Sequence, residues 1–135
     1  MPRLALDSYW LGILARGGAV VTFLASVYLL LAKHPLGAGR LPDWVGHLVL
    51  FAALGLCIGL SAATTRAGEA SAARRRVLLA GLVAIALYGP LTEVAQYVVG
   101  RDAEWSDAAI DIAASLPAFA LGTALPRLLR ARPQL

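Results

Sequence analysis

Four long apolar stretches, separated by short polar segments, dominate the chain. A transmembrane helix needs about 20 mostly apolar residues to cross roughly 30 Å of hydrocarbon, because each helical residue rises about 1.5 Å. None of the stretches alternates apolar and polar positions with the period of two that a barrel strand requires. The pattern therefore predicts an all-α bundle of four transmembrane helices, at about residues 11–32, 44–63, 77–99 and 107–125.

The composition agrees with a single membrane domain spanning residues 1–135. Hydrophobic residues make up 59% of the chain and charged residues 15%, whereas a soluble domain carries about 25% charged residues. A chain of 135 residues cannot hide that apolar excess in a core of its own. These proportions exclude a soluble enzyme and a disordered chain. The single cysteine, Cys57, excludes an internal disulfide and a cysteine-based zinc site.

The basic residues predict an orientation for the bundle. Of the 12 Lys and Arg residues, nine lie in the N-terminal segment, the polar loop at residues 64–76 and the basic tail at residues 126–135. The positive-inside rule then places both termini in the cytoplasm. Because these residues lie between apolar stretches, the net charge of +4 indicates topology and not a nucleic-acid partner. Cleavage of the first stretch as a signal peptide is disfavoured, since Arg16 interrupts it and no small-residue cleavage site ends it.

Seven polar or ionisable side chains lie within or beside the last three predicted helices. They are Asp43 and His47 at the start of the second helix, Glu93 and Gln96 near the end of the third, Arg101 in the loop that follows, and Asp107 and Asp111 at the start of the fourth. Within each helix the two members are three or four residues apart and so share a face. All lie within about two turns of the outer surface, so they predict one polar pocket that opens outward.

Small residues and a proline favour close packing around this pocket. Pro90 removes a backbone donor one turn before Glu93 and bends the third helix there. Gly55 and Gly59 have the G-x-x-x-G spacing of close helix contacts. The small residues that continue the acidic face of the fourth helix are Ala114, Ala118 and Gly122. We expect the three polar helices to approach one another along these positions.

Three sequence blocks of these helices together resemble the VanZ-like family of small membrane proteins. The blocks are PDWVGHLVLFAALG at residues 42–55, LTEVAQYVVGR at 91–101, and SDAAIDIAASLPAFALG at 106–122. The resemblance lies in an acid and a histidine four residues apart, a Glu-x-x-Gln pair followed by an arginine, and an aspartate followed four residues later by Asn or Asp. It implies a multi-pass protein of the bacterial inner membrane, in a family with some members linked to teicoplanin resistance. It implies no known reaction.

The chain departs from the family pattern at several of these positions. Trp44 stands where the family commonly has lysine, and Asp111 stands where it usually has asparagine. The aspartate of the closing block is Asp107 in the register that keeps its interval from the preceding arginine. In a second register it is Asp111, with Ser115 in the asparagine position. Both registers remain open at this point.

Three functions fit the predicted pocket, and binding is favoured over catalysis. As a binding module, the pocket would hold a lipid head group or a lipid-linked envelope precursor, with Arg101 on phosphate or carboxylate and the acids and Gln96 on hydroxyls. As an intramembrane hydrolase or transferase acting on a lipid-linked substrate, it would use His47 as general base and a buried Glu93. As an accessory subunit, the chain would use the same groups for packing within a larger membrane complex.

Metal-assisted chemistry is a variant of the enzymatic hypothesis. His47, Glu93, Asp107 and Asp111 form a nitrogen and oxygen ligand set. One histidine with carboxylates is an unspecific signal, so the sequence predicts no metal and no cofactor. The predicted partners are membrane lipids, a lipid-linked precursor or a larger membrane complex, and no nucleic acid.

Overall fold

A computed structural model of the protein describes residues 3–32, 42–64 and 71–130. These residues form four α-helices and no strand: α1 at Arg3–Leu31, α2 at Asp43–Thr64, α3 at Ser71–Val98 and α4 at Trp105–Arg130. Each helix contains a segment long and apolar enough to cross a membrane. The segments are Tyr9–Leu31, Asp43–Thr64, Arg75–Val98 and Trp105–Leu129. The predicted all-α fold with four transmembrane helices is confirmed, and the chain is a multi-pass membrane protein.

Three of the helices extend beyond the apolar stretches that predicted them. α1 begins at Arg3, α3 begins at Ser71, within the predicted polar loop, and α4 ends at Arg130, within the predicted basic tail. Alanine, leucine and arginine are among the strongest helix formers, so the helices continue past the apolar residues that cross the membrane. Residues 65–70 of the predicted loop and 131–135 of the predicted tail lie outside the described residues.

Each helix runs antiparallel to the one before it in the chain. The end of α1, the start of α2, the end of α3 and the start of α4 therefore meet beside the segment 99–104 that joins α3 to α4. Arg101 of this segment donates hydrogen bonds to the last carbonyls of α1 and lies 4.0 Å from Asp43 at the start of α2. We call this end of the bundle the Arg101 end. Every predicted site residue lies in the half of its helix nearest to it or in the segment itself.

α2 and α4 approach each other closely along three glycines, which we call the glycine seam. A Cβ atom on any of the three would overlap the backbone of the facing helix. The facing pairs are Gly55 with Ser115, Gly59 with Phe119, and Gly122 with Leu56. Because glycine has no side chain, the two helix backbones can come into direct van der Waals contact at these positions. The predicted G-x-x-x-G pair on α2 therefore lies at a helix contact.

The buried stripe of α4 differs by one position from the small-residue stripe that the sequence predicted. The buried positions of α4 are Ala108, Asp111, Ser115, Phe119, Gly122 and Pro126, whereas Ala114 and Ala118 are only half-buried. The predicted stripe and the buried stripe both include Asp111 and Gly122. Between these two residues, the buried stripe passes through Ser115 and Phe119 at a spacing of four residues. The ring of Phe119 reaches α3, where it lies against Gly81. Gly55 and Gly59 of α2 are four residues apart and face Ser115 and Phe119, which have the same spacing, so the predicted alanines lie at the edge of the contact.

Candidate functional site

The imidazole of His47 is the centre of the candidate site. The residue is 2% exposed, and its two ring nitrogens face two carboxylates of α4. Nδ1 lies 3.0 Å from Oδ1 of Asp111, and Nε2 lies 3.7 Å from Oδ2 of Asp107. The two aspartates are four residues apart and therefore share a face of α4. Both acids between which the sequence registers differed thus lie beside the same histidine.

Glu93 of α3 completes the group. The residue is 1% exposed, and its Oε2 accepts a 2.8 Å hydrogen bond from the backbone N–H of Glu104, just before α4 begins. The positive end of the α4 macrodipole stabilises a carboxylate in this place. One ligand atom each of Glu93, His47 and Asp107 lies within 4.8 Å of the other two. We call His47, Glu93, Asp107 and Asp111 the acid–histidine cluster.

The cluster concentrates negative charge in a buried place. The carboxylates of Glu93 and Asp107 have oxygens within 4.8 Å of each other, so in the ionised state they repel by roughly 3 kcal/mol or more at an effective dielectric constant of about 20. Among the described residues, His47 is the one basic side chain within ion-pair distance of a cluster carboxylate. The ionised cluster therefore favours a positive or hydrogen-donating group.

Two fully buried carboxylate oxygens of the cluster have no hydrogen-bond partner among the described residues. They are Oε1 of Glu93 and Oδ2 of Asp111. Asp111 is fully buried and fits there because α3 has a glycine opposite it. A Cβ atom at Gly89 would lie 3.0 Å from the Asp111 Cβ atom and 3.3 Å from its Oδ2. Gly89 thus provides the room in which this acid reaches His47.

Aromatic rings close the cluster on the side that faces the middle of the bundle. The ring of Phe51 stacks on His47, with centroids 6.2 Å apart and planes 7° apart, and Tyr88 lies 5.3 Å beyond Phe51. The Tyr88 hydroxyl is 2.7 Å from Ser26 Oγ of α1, which satisfies the polar end of the ring. Approach to the cluster is therefore from the Arg101 end, where the side chain of Asp107 is 14% exposed.

Arg101 and Asp43 lie at the entrance and not in the cluster. The turn that follows α3 contains Gly100, whose φ of +75° suits glycine, and the amide N–H of Arg101 donates a 2.9 Å hydrogen bond to the carbonyl of Gln96. This Schellman-type turn directs the Arg101 side chain toward α1. Its Nη1 donates to the carbonyls of residues 29, 30 and 32 at 2.9–3.2 Å, and a cation is favourable at that helix end. Asp43, with its side chain 82% exposed, is 4.0 Å from Arg101 Nη2.

Gln96 is buried, at 2% exposure, almost one turn from Glu93 on the same face of α3. Of the seven predicted residues, the structure brings His47, Glu93, Asp107 and Asp111 into direct contact range, keeps Gln96 buried beside them, and places Asp43 and Arg101 together at the entrance.

The sequence reasoning missed the parts that surround the cluster. They are the glycine that admits Asp111, the aromatic rings of Phe51 and Tyr88, and the backbone amide of Glu104. The sequence offers one signal for the glycine that admits Asp111: Gly89 directly precedes Pro90, the proline inside α3.

Comparison of the chain with protein-family models, with curated proteins and with solved structures finds no match in any of the three.

Proposed function

We propose that this chain is a VanZ-like protein of the bacterial inner membrane, and that its acid–histidine cluster binds the polar head group of a lipid or a lipid-linked envelope precursor. Two observations support the proposal: the three sequence blocks that resemble the family, and the approach of their ionisable side chains in one buried cluster. Ionisable side chains inside membrane helices mark functional sites by default, because burying them is costly. The predicted orientation puts the cluster in the outer half of the bilayer.

The two unpartnered oxygens, Glu93 Oε1 and Asp111 Oδ2, carry the proposal. A buried acceptor without a donor costs about 1–3 kcal/mol, and more when it is charged. A ligand O–H or N–H that reaches either oxygen removes that cost and gains a charge-assisted hydrogen bond. The cluster therefore favours a ligand that brings hydrogen-bond donors.

Hydroxyl groups, such as those of a sugar head group, are the donors that fit best. The three cluster carboxylates accept hydrogen bonds when ionised and repel a bare phosphate. Arg101, the predicted phosphate partner, directs one guanidinium nitrogen to three carbonyls of α1. We therefore assign hydroxyl recognition to Glu93 and the cluster aspartates, and a supporting role at the entrance to Arg101.

Native mass spectrometry of the protein extracted in mild detergent tests the proposal. We expect the wild-type chain to carry a glycolipid or lipid-linked sugar, and Glu93→Gln to lose it while remaining folded by circular dichroism. Glu104→Gln is the matched control, because it makes the same chemical change on an exposed side chain and leaves the backbone amide to Glu93 intact.

Two results would contradict head-group binding. One is a wild-type chain that carries no lipid beyond that seen with the detergent-matched background. The other is equal retention by Glu93→Gln and Glu104→Gln. Release of the wild-type chain from a heavier assembly, with no bound lipid, would support the alternative function as an accessory subunit of a larger membrane complex.

The second candidate function, an intramembrane hydrolase or transferase, is favoured by the pairing of His47 with Asp111. In neutral imidazole the nitrogen beside a carboxylate carries the proton, which leaves the other nitrogen able to accept one. Nδ1 is beside Asp111 at 3.0 Å, so Nε2 is the nitrogen with general-base geometry. An enzyme predicts that His47→Ala still retains its lipid but no longer converts it on incubation, whereas a pure binder shows no conversion with either chain.

A further inference from the structure

We propose that His47, Glu93 and Asp107 together bind a divalent transition-metal ion, with Asp111 as the positioning residue behind the histidine. This inference goes beyond head-group binding and does not depend on it, because the metal alone is the ligand. It also departs from the prediction, made from the sequence, that the chain binds no metal.

Asp111 determines which nitrogen of His47 is available to a metal. Its Oδ1 lies 3.0 Å from Nδ1, so the neutral ring carries its proton there and the Nε2 lone pair points the other way. Metal-binding histidines usually donate their second ring N–H to a carboxylate or carbonyl in this manner, which fixes the tautomer and the ring orientation. The His47–Asp111 pair therefore has the arrangement of a metal ligand with its outer-shell partner.

The Nε2 atom faces another acceptor instead of a donor. Oδ2 of Asp107 is 3.7 Å away, too far for a hydrogen bond, and with this tautomer both atoms present lone pairs. Ligands about 2.0–2.2 Å from a tetrahedral zinc ion lie about 3.4 Å from one another. The observed separation is close to that value, so a shift of a few tenths of an ångström brings both atoms into coordination.

Glu93 supplies the third ligand and is the independent sign that something binds here. The residue is 1% exposed, and its Oε1 has no hydrogen-bond partner among the described residues. A ligand atom of Glu93 lies within 4.8 Å of those of His47 and Asp107, so a side-chain adjustment of about an ångström brings all three into the spacing of ligands around one ion. The contact between Oε2 and the Glu104 amide holds this carboxylate in place from the α4 side.

The donor set indicates the class of ion. One imidazole nitrogen and two carboxylates suit zinc, manganese or iron, because imidazole favours transition metals and carboxylates suit harder ions. Three protein ligands leave a coordination position open, which is typical of sites that also bind water or a substrate. The aromatic rings of Phe51 and Tyr88 lie on the inner side of His47, so the open position is toward the Arg101 end.

Metal loading of the wild-type protein is the first test. The chain is purified in mild detergent with a histidine-free affinity tag and no chelator, incubated with Zn²⁺ or Mn²⁺, desalted and measured by plasma mass spectrometry. We expect close to one ion per chain and a rise in the thermal midpoint that EDTA reverses. A wild-type protein that retains no ion above the protein-free blank overturns the proposal without reference to any variant.

Matched substitutions separate the cluster from chance binding by exposed acids. Glu93→Gln and Asp107→Asn should each lower retention at least tenfold, because each removes a charged ligand. The controls Glu104→Gln and Asp102→Asn make the same chemical changes on exposed side chains near the same end and should bind like wild type. Equal losses in the controls, or equal retention in all four variants, would overturn the assignment.

Asp111→Asn distinguishes a metal site from a packing network. Loss of an outer-shell partner typically weakens metal binding by about 10–100-fold, so this variant should reach full occupancy only at higher metal concentration. Co²⁺ loading reads the coordination directly, through the visible absorption of the ion. An Asp111→Asn protein with unchanged metal affinity and an unchanged Co²⁺ spectrum would refute the positioning role.

Discussion

Replacing Gly55 with alanine should force α2 and α4 apart and break the hydrogen bond at the centre of the cluster. The added Cβ atom would overlap the Ser115 carbonyl oxygen and lie 2.9 Å from the Ser115 Cα atom. Carbon atoms in van der Waals contact are about 3.5–4.0 Å apart, so the helices must separate there by roughly 0.6 Å or more. Ser115 is one turn from Asp111, so the same displacement lengthens the 3.0 Å bond from His47 to Asp111.

The expected cost is that of overpacking, about 1–3 kcal/mol of unfolding free energy. The matched control is Gly46→Ala on the same helix, where no described atom lies within 4 Å of the new Cβ position. Both changes gain the same helix propensity, about 0.5–1 kcal/mol for alanine over glycine. The difference between the two variants therefore isolates the contact with α4.

Equilibrium unfolding by SDS in mixed micelles, followed by far-UV circular dichroism, measures this difference. We expect Gly46→Ala to match or exceed wild-type stability and Gly55→Ala to fall below it. Metal retention should fall with Gly55→Ala as well, since the histidine loses its positioning partner. Equal stability of the two variants would refute the close approach of α2 and α4 at Gly55.

Three other experiments test other parts of the structure and the predicted orientation. Tyr88→Phe should lower the unfolding free energy by about 0.6 kcal/mol, the usual value of one hydrogen bond between membrane helices; a loss above 2 kcal/mol would contradict so small a role. Arg101→Gln removes charged donors from the end of α1 and should cost about 1.5–3 kcal/mol, with faster amide exchange confined to that end; unchanged exchange would argue against the cap. In a Cys57→Ala background, an impermeant maleimide added to whole cells should label Asp102→Cys and spare Ala72→Cys, and the reverse labelling would disprove the predicted orientation.

The helices themselves could be predicted from the sequence because membrane thickness fixes how long an apolar stretch must be. Their ends could not be predicted as well. α3 begins at Ser71 and α4 ends at Arg130, in segments whose alanines, leucines and arginines favour helix without being apolar throughout. Hydropathy therefore located the part of each helix that crosses the membrane, and helix propensity extended it.

The composition of the cluster could be predicted because residues three or four apart share a helix face. His47, Glu93, Asp107 and Asp111 do meet, as that periodicity indicated. The direction of Arg101 could not be read in the same way. It depends on the positive φ of Gly100 and on the free carbonyls of α1, which belong to a turn and to another helix, and spacing within one helix says nothing about either.

The glycine seam and the cluster depend on the same helix contact. An aspartate side chain has a single methylene group, so Asp111 can reach within 3.0 Å of His47 only where α2 and α4 are unusually close. Glycines at the seam make that approach possible, and Gly89 of α3 leaves room on the other side of the same acid. The glycines thus contribute to the geometry of the site although none of them belongs to the acid–histidine cluster. A sequence with the same acids and histidine but larger residues at these glycines would keep the charges and lose the distances that make them a site.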